Sequence, residues 1–330
     1  MKELKQIVFE ATYGCASNCI FCYNCWKAGY KKEPELDIKQ LRTILKKLPK
    51  FKRFVISGGE PLLRPDLKDI IKEGKKYTNM VSVLTSGILL NDDWARMLKK
   101  HDVFVQVPLH GMEKTHNAHT RVKDSYRKAI IGIAYLKKHG VRFAVSTVAT
   151  KKNIKDFKDT LELGVALGAQ ELLVIRFMPG GEGLKNSELM LDYGEYKYML
   201  ETFDAICRKY RVFGAIGAPN VPCVFPDKGY KFISKSSCGA GIDWIAIDPS
   251  GRVRICNHSP TILGSLLTQD FKEIWNHQLL KDFRAKKVVP KECEGCEHRD
   301  DCRGGCRAVA ETYFGSLTAP EPLMLLKPAK

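Results

Sequence analysis

Over roughly the first 180 residues, short β-branched runs alternate with longer amphipathic stretches, which confines the chain to a parallel sheet flanked by helices. Strands are expected over Gln6 to Tyr13, Arg53 to Ser57, Met80 to Thr85, Val103 to Leu109, Arg142 to Ala149 and Glu171 to Met178. Helical periodicity falls between them, over Ile38 to Lys47, Pro65 to Lys75, Asp92 to Lys99, Tyr126 to Lys138 and Ile154 to Leu167, with Tyr193 to Tyr210 closing the series. Six such units fit a barrel-like sheet or an open doubly wound one, and periodicity alone permits both.

The 330 residues, 44% of them hydrophobic, suffice for a buried core. No run approaches the ~20 apolar residues of a membrane span, and the opening MKELKQIVFE lacks the apolar stretch of a signal peptide, so a soluble cytoplasmic protein is expected. Twelve cysteines would be disulfides only in an oxidising compartment, which leaves metal or redox chemistry as the default. The formal charge of +17 suits a polyanion partner or a Lys-rich solvated surface. Runs such as KKLPK and KKHG sit at expected helix ends and favour the solvated surface.

Between residues 212 and 237 the pattern turns irregular and rich in Gly, Pro and Ser, and cysteines crowd in afterwards. This predicts a main domain over 1–211, a linker over 212–237 and a small metal-dependent domain over 238–330.

Cys15, Cys19 and Cys22 place three thiols on one short loop after the first strand. A structural zinc site closes its shell with four ligands, whereas three thiolates on a four-iron cluster leave one iron open. The spacing, with the aromatic Phe21 before the third cysteine, resembles the radical S-adenosylmethionine superfamily. A zinc knuckle taking Cys25 as its fourth ligand is the plain alternative.

The resemblance implies a partial (β/α)6 TIM-like barrel, an α/β fold with a small cysteine-rich C-terminal auxiliary-cluster domain. It also implies a [4Fe-4S] cluster whose open iron chelates S-adenosylmethionine, giving a 5'-deoxyadenosyl radical that takes hydrogen from a substrate.

Strand ends supply further matches, as expected of enzymes that work at the C-terminal edge of their sheet. Gly58, Gly59 and Glu60 resemble the family's GGE motif for the methionine amino group; paired glycines let backbone approach closely, and the acid can accept from an ammonium. Thr85 and Ser86 are similar to the family's Thr-Asn-Gly turn. Ser146 and Thr147 offer hydroxyls toward ribose, as does Thr150, and Arg176 with Met178 resembles the adenine and carboxylate side. At the fourth strand His110 stands where many relatives carry an acid; its ordinary pKa near 6.5 suits proton transfer or substrate binding, so it is the candidate catalytic residue. His116 and His119 are expected on a solvated polar loop.

Cys238, Cys256, Cys293, Cys296, Cys302 and Cys306 are spaced as in the SPASM domain, an extension that usually binds two auxiliary four-iron clusters. By that resemblance Cys238, Cys256 and Cys306 belong to the first cluster and Cys293, Cys296 and Cys302 to the second. The family's last cysteine is absent from the tail, so one or two auxiliary iron-sulfur clusters are expected. Asp301, His298, Met324 or an open iron would fill the gap, and Cys223 is placed to complete the first cluster. A four-cysteine zinc site over Cys293 to Cys306 is the alternative.

Enzymes with this extension mostly modify peptides or proteins, which is the leading expectation; carboxylated tetrapyrroles are the alternative. A one-electron donor such as ferredoxin or flavodoxin is implied as partner. An RNA-binding or RNA-modifying protein with structural metal sites would also use the charge, but no basic stripe interleaved with aromatics marks a nucleic-acid surface.

Overall fold

The computed structural model describes residues 4–27, 29–226, 229–234 and 237–326, so both chain ends, Ala28 and four positions of the expected linker lie outside it. Six βα units run in chain order: β1 (Leu4–Glu10), α1 (Ile38–Lys47), β2 (Phe51–Ser57), α2 (Leu67–Lys75), β3 (Met80–Leu84), α3 (Asp92–Lys100), β4 (Phe104–Pro108), α4 (Glu113–Thr120), α5 (Ser125–Lys138), β5 (Phe143–Ala149), α6 (Phe157–Ala166), β6 (Glu171–Arg176) and α7 (Tyr193–Tyr210). Capping begins the helices where the sequence directs. Asp37 and Gln40 form a reciprocal box at α1, as do Asp192 and Glu195 at α7, and Asn91 accepts from the Trp94 amide at 2.9 Å.

Strands β1 to β6 are parallel and adjacent in chain order. A doubly wound sheet would reverse its order at a switch point. None occurs here, so the connectivity is that of the partial barrel. Ile7, Phe9, Phe54, Ile56, Val83, Val105, Val145, Leu172 and Val174 carry the core beneath the helices, all within 1% exposure.

The sheet extends on both sides. Beyond β6 lie β7 (Phe213–Ile216) and β8 (Ile233–Ser234), both parallel, so the segment expected to be an irregular linker supplies two more strands. Beside β1 lies β9 (Trp244–Ile247), parallel to it, followed by β10 (Arg252–Arg254) and β11 (Ile262–Ser265) in antiparallel pairing. The cysteine-rich region therefore shares the barrel's sheet. It continues through α8 (Phe271–Trp275), α9 (Gln278–Arg284), α10 (Arg299–Cys302) and α11 (Arg307–Phe314).

The joint between β1 and β10 holds a buried ion pair. Arg254 is 0% exposed and donates to Glu10, to the Ser259 carbonyl at 2.8 Å and to the Cys25 thiol at 3.0 Å. Burial pushes the Glu10 carboxyl up to about 7 even beside this guanidinium.

Candidate active site and metal centres

The loop carrying Cys15, Cys19 and Cys22 leaves the C-terminal end of β1 and is clamped from three directions. The β2 turn grips its start: the Gly59 amide donates to the Thr12 carbonyl at 2.9 Å and the Glu60 amide to Gly14 at 2.8 Å. Here the glycines are required, since a Cβ at Gly59 would lie 2.0 Å from the Gly14 carbonyl oxygen. The end of α4 holds the middle, with Asn18 and Ile20 donating to Thr120 and His119 carbonyls at 3.0 and 2.9 Å. The turn after β6 holds the far side: the Gly183 amide donates to the Cys22 carbonyl at 3.1 Å, and Asn186 Nδ2 to Ile20 at 2.9 Å.

The three thiols face one another. Burial pushes all three up, Cys19 feels both neighbours, and the Lys27 ammonium works the other way on each. Cys25 is engaged elsewhere, under Arg254, beside Glu10 and Asp248, so the four-thiol zinc knuckle does not form on this loop.

Glu60 is fully buried and joins the tips of β2 and β3. Its carboxylate accepts from Thr85 Oγ1 at 2.7 Å, from the Ser86 amide at 2.8 Å, from the Ser86 hydroxyl and from the Leu62 amide at 3.1 Å. Gly58, Gly59, Glu60, Thr85 and Ser86 therefore meet beside the cysteine loop.

The ring of Phe21 packs edge-on to His110 with centroids 4.4 Å apart. His110 Nδ1 accepts from the Val148 amide at 3.2 Å, which places its proton on Nε2. Burial first, then His116 and His119, holds His110 well below the usual imidazole range, so it stays neutral. His116 and His119 sit on α4 at 1% exposure rather than on a solvated loop. His116 Nδ1 accepts from the His110 amide at 3.1 Å, and His119 bridges the Thr115 carbonyl and Thr150 Oγ1, both at 2.8 Å. Interlocking hydrogen bonds, not apolar periodicity, bury this helix.

On β5, Ser146 is buried and Thr147 Oγ1 donates to the Leu109 carbonyl at 2.8 Å. Arg176 is buried against Glu321, with Cys306 and Tyr196 as neighbours, and Met178 packs on the core. Arg176 thus joins the end of β6 to the C-terminal segment.

All twelve cysteines are free, and ten fall into three sets. Cys256 faces Cys306 and Cys238, and burial with this crowding holds Cys306 up to about 12. Cys293 faces Cys302, Cys296 and Cys223. Cys223 therefore stands with the second auxiliary set, not the first, because the turn carrying it packs on the Cys302 to Gly305 turn. Of the other expected substitutes, Asp301 is exposed, His298 meets Glu297 at 3.4 Å and Met324 packs on the core. Cys207 is a buried structural thiol between α7 and β7.

Among the described residues no three His, Cys, Asp or Glu side chains meet at single-ion spacing. Soft thiols gathered in threes and fours, most of them buried or half-buried, are a donor set that an iron-sulfur cluster would satisfy.

One link between sets gave no sequence signal. Tyr23, next to Cys22, stacks on His258 at 5.3 Å and 18°, and His258 lies two residues past Cys256. His258 Nε2 donates to the Pro179 carbonyl at 3.1 Å, and burial brings this imidazole down to about 4.

A parallel partial barrel with a three-thiol loop at its C-terminal edge, backed by two further thiol sets, defines an iron-sulfur radical enzyme. Residues 9–164 match the family model of the radical SAM superfamily, and residues 238–297 match that of an iron-sulfur cluster-binding domain, SPASM. The chain thus carries a radical SAM domain followed by a C-terminal SPASM domain. It is 26% identical to the AdoMet-dependent heme synthase of Methanosarcina barkeri, over 98% of this chain and 97% of that protein. It is 27% identical to the mycofactocin maturase MftC of Mycolicibacterium smegmatis, over 96% and 81%. Its fold matches Streptococcus suis SuiB, solved with the precursor peptide SuiA, at a TM-score of 0.79 and 16% identity over 98% and 76% of the chains.

Cys15, Cys19 and Cys22 would hold the [4Fe-4S] cluster, with Gly58 to Glu60, Thr85 and Ser86 beside the S-adenosylmethionine. When bound, that cluster supplies the electron that cleaves S-adenosylmethionine to the 5'-deoxyadenosyl radical.

Proposed function

We propose that this enzyme modifies a peptide or protein by abstracting hydrogen from it, as a maturase. The observation that carries the reading is the stacked Tyr23 and His258 contact, which joins the cysteine loop of the barrel to the first auxiliary thiol set. Such an arrangement suits oxidation, in which an electron must leave the substrate after hydrogen does. The similarity to a mycofactocin maturase over most of both chains supports the peptide class.

Within this reading His110 is a positioning residue. Its neutral ring supports Phe21 on the cysteine loop and ties β4 to β5. Thr147 holds the end of β4 through the Leu109 carbonyl, while Arg176 ties the barrel to the auxiliary domain through Glu321. An acidic one-electron donor such as ferredoxin or flavodoxin would suit the +17 charge. No helix among the described residues is long and apolar enough to cross a membrane, and ten thiols gathered for iron suit the reducing cytoplasm.

The test is anaerobic reconstitution followed by dithionite-dependent release of 5'-deoxyadenosine, with a candidate precursor peptide encoded beside the gene. Deuterium passing from labelled peptide into 5'-deoxyadenosine, with a new peptide mass, is the expected result. The end-to-end match to a heme synthase favours a second substrate class, a carboxylated tetrapyrrole. Label transfer from an iron tetrapyrrole and none from peptides would replace the first reading by the second.

A further inference from the structure

We propose that Cys223 is the fourth thiolate of the second auxiliary cluster, taking the place that relatives fill from their C-terminal tail. The inference rests on the reading of the C-terminal region as an auxiliary-cluster domain.

Four features carry it. First, the turn bearing Cys223 is rigid: Val224 and Phe225 amides donate to the Val221 carbonyl at 3.0 and 2.9 Å, and Asn220 Nδ2 closes the turn on the Phe225 carbonyl at 2.8 Å. Val221 and Phe225 anchor it in the core at 0% and 3% exposure. Second, this turn is seated on the cysteine-rich turn. The Cys302 thiol lies 3.8 Å from the Asn220 carbonyl, and Val221 Cγ2 would stand 3.0 Å from a Cβ at Gly305.

Third, the thiols converge: Cys296 is a neighbour of Cys223, and Cys293 and Cys302 each have Cys223 as a neighbour in turn. Nothing comparable joins Cys223 to Cys238, Cys256 or Cys306, whose described partners are one another and nearby Arg, Asp and Glu groups. Fourth, the tail is committed elsewhere. Glu321 is buried on Arg176, and Arg307 donates to the Leu317 and Ala319 carbonyls at 3.1 and 2.7 Å. Residues 307–326 are held as a strap and contain no cysteine.

The second cluster is thereby closed by four cysteines, whereas Cys238, Cys256 and Cys306 supply only three to the first. An iron position open to an exogenous ligand therefore belongs to the first auxiliary cluster.

The experiment uses full-length protein carrying Cys15→Ala, Cys19→Ala and Cys22→Ala, so that only auxiliary iron is counted. After anaerobic reconstitution this background is expected to hold about eight irons, four per cluster. Adding Cys223→Ala should remove about four irons or convert one cluster to a three-iron form visible by EPR. Cys223→Ser, which keeps a weaker oxygen ligand, should retain iron with an altered Mössbauer spectrum, and Cys207→Ala should change nothing. Full iron and an unchanged spectrum in Cys223→Ala would overturn the assignment. Loss of all iron in both Cys223 variants would also overturn it, since one ligand cannot account for two clusters. A background that holds only four irons, or zinc, would instead sink the two-cluster reading itself.

Discussion

Replacing Arg254 by Met keeps the aliphatic stem of a fully buried side chain and removes its charge, leaving Glu10, 1% exposed, without its partner. Breaking a buried ion pair from one side costs about 3–5 kcal/mol. Burial already holds the Glu10 carboxyl at about 7, from an ordinary 4.5, with the cation in place. At ~1.4 kcal/mol per pH unit that gap corresponds to roughly 3 kcal/mol, and removal of the cation widens it. The folded chain holds this proton more tightly than the unfolded one. Its contribution is therefore fully present below about pH 4.5 and lost as pH rises through about 7. At pH 5 Glu10 is protonated in both proteins, whereas at pH 8 only the variant must bury it unpaired. Arg254→Met should therefore melt roughly 5–10 °C low at pH 8 and less at pH 5, measured anaerobically at one scan rate. Glu10→Gln combined with Arg254→Met should recover most of the loss at pH 8. Equal deficits at both pH values, or no recovery in the double variant, would refute the buried charge as the cause.

Gly59→Ala should abolish cofactor cleavage and lower iron retention, because its Cβ would displace the Gly14 carbonyl and the cysteine loop with it; iron content and 5'-deoxyadenosine release check both. His110→Ala should lower substrate turnover at least tenfold by unseating Phe21, and wild-type turnover should show no inflection near pH 6.5 from this neutral ring; a pH–rate profile and the variant's coupling of deoxyadenosine to product test these together. Gly194→Ala, at a helical site whose nearest neighbour would be 3.6 Å away, should stabilise α7 by about 0.5–1 kcal/mol, read as a small rise in melting temperature.

The barrel was legible where local rules and tertiary packing agree. Helices over Ile38–Lys47 and Tyr193–Tyr210 match the periodicity residue for residue, each opened by a capping box. Helix α4 escaped notice because EKTHNAHT has no apolar stripe; its histidines are buried by hydrogen bonds to residues distant in sequence, such as Thr150. Strand β7, FGAI, read as linker because Gly214 leaves room for the Cys207 thiol rather than filling a pleat. Among site residues, the first three cysteines and the GGE turn are local motifs and could be read directly. The partner of Cys223 and the stacking of Tyr23 on His258 depend on contacts between distant segments, which no spacing rule encodes. Arg176 looked like a cofactor residue from its strand end, but its partner Glu321 lies near the other end of the chain.

The pairing of β9 with β1 has a consequence for synthesis. The first strand made, which leads directly into the cysteine loop, gains its outer neighbour only when Trp244–Ile247 has emerged. Until then one edge of β1 offers unpaired amides and carbonyls, and Glu10 waits for an arginine not yet translated. Long-range closure of this kind slows folding and exposes the nascent chain to association. The carboxylate that ends the first strand, just ahead of the three-thiol loop, therefore acquires its final setting only after most of the chain has been made.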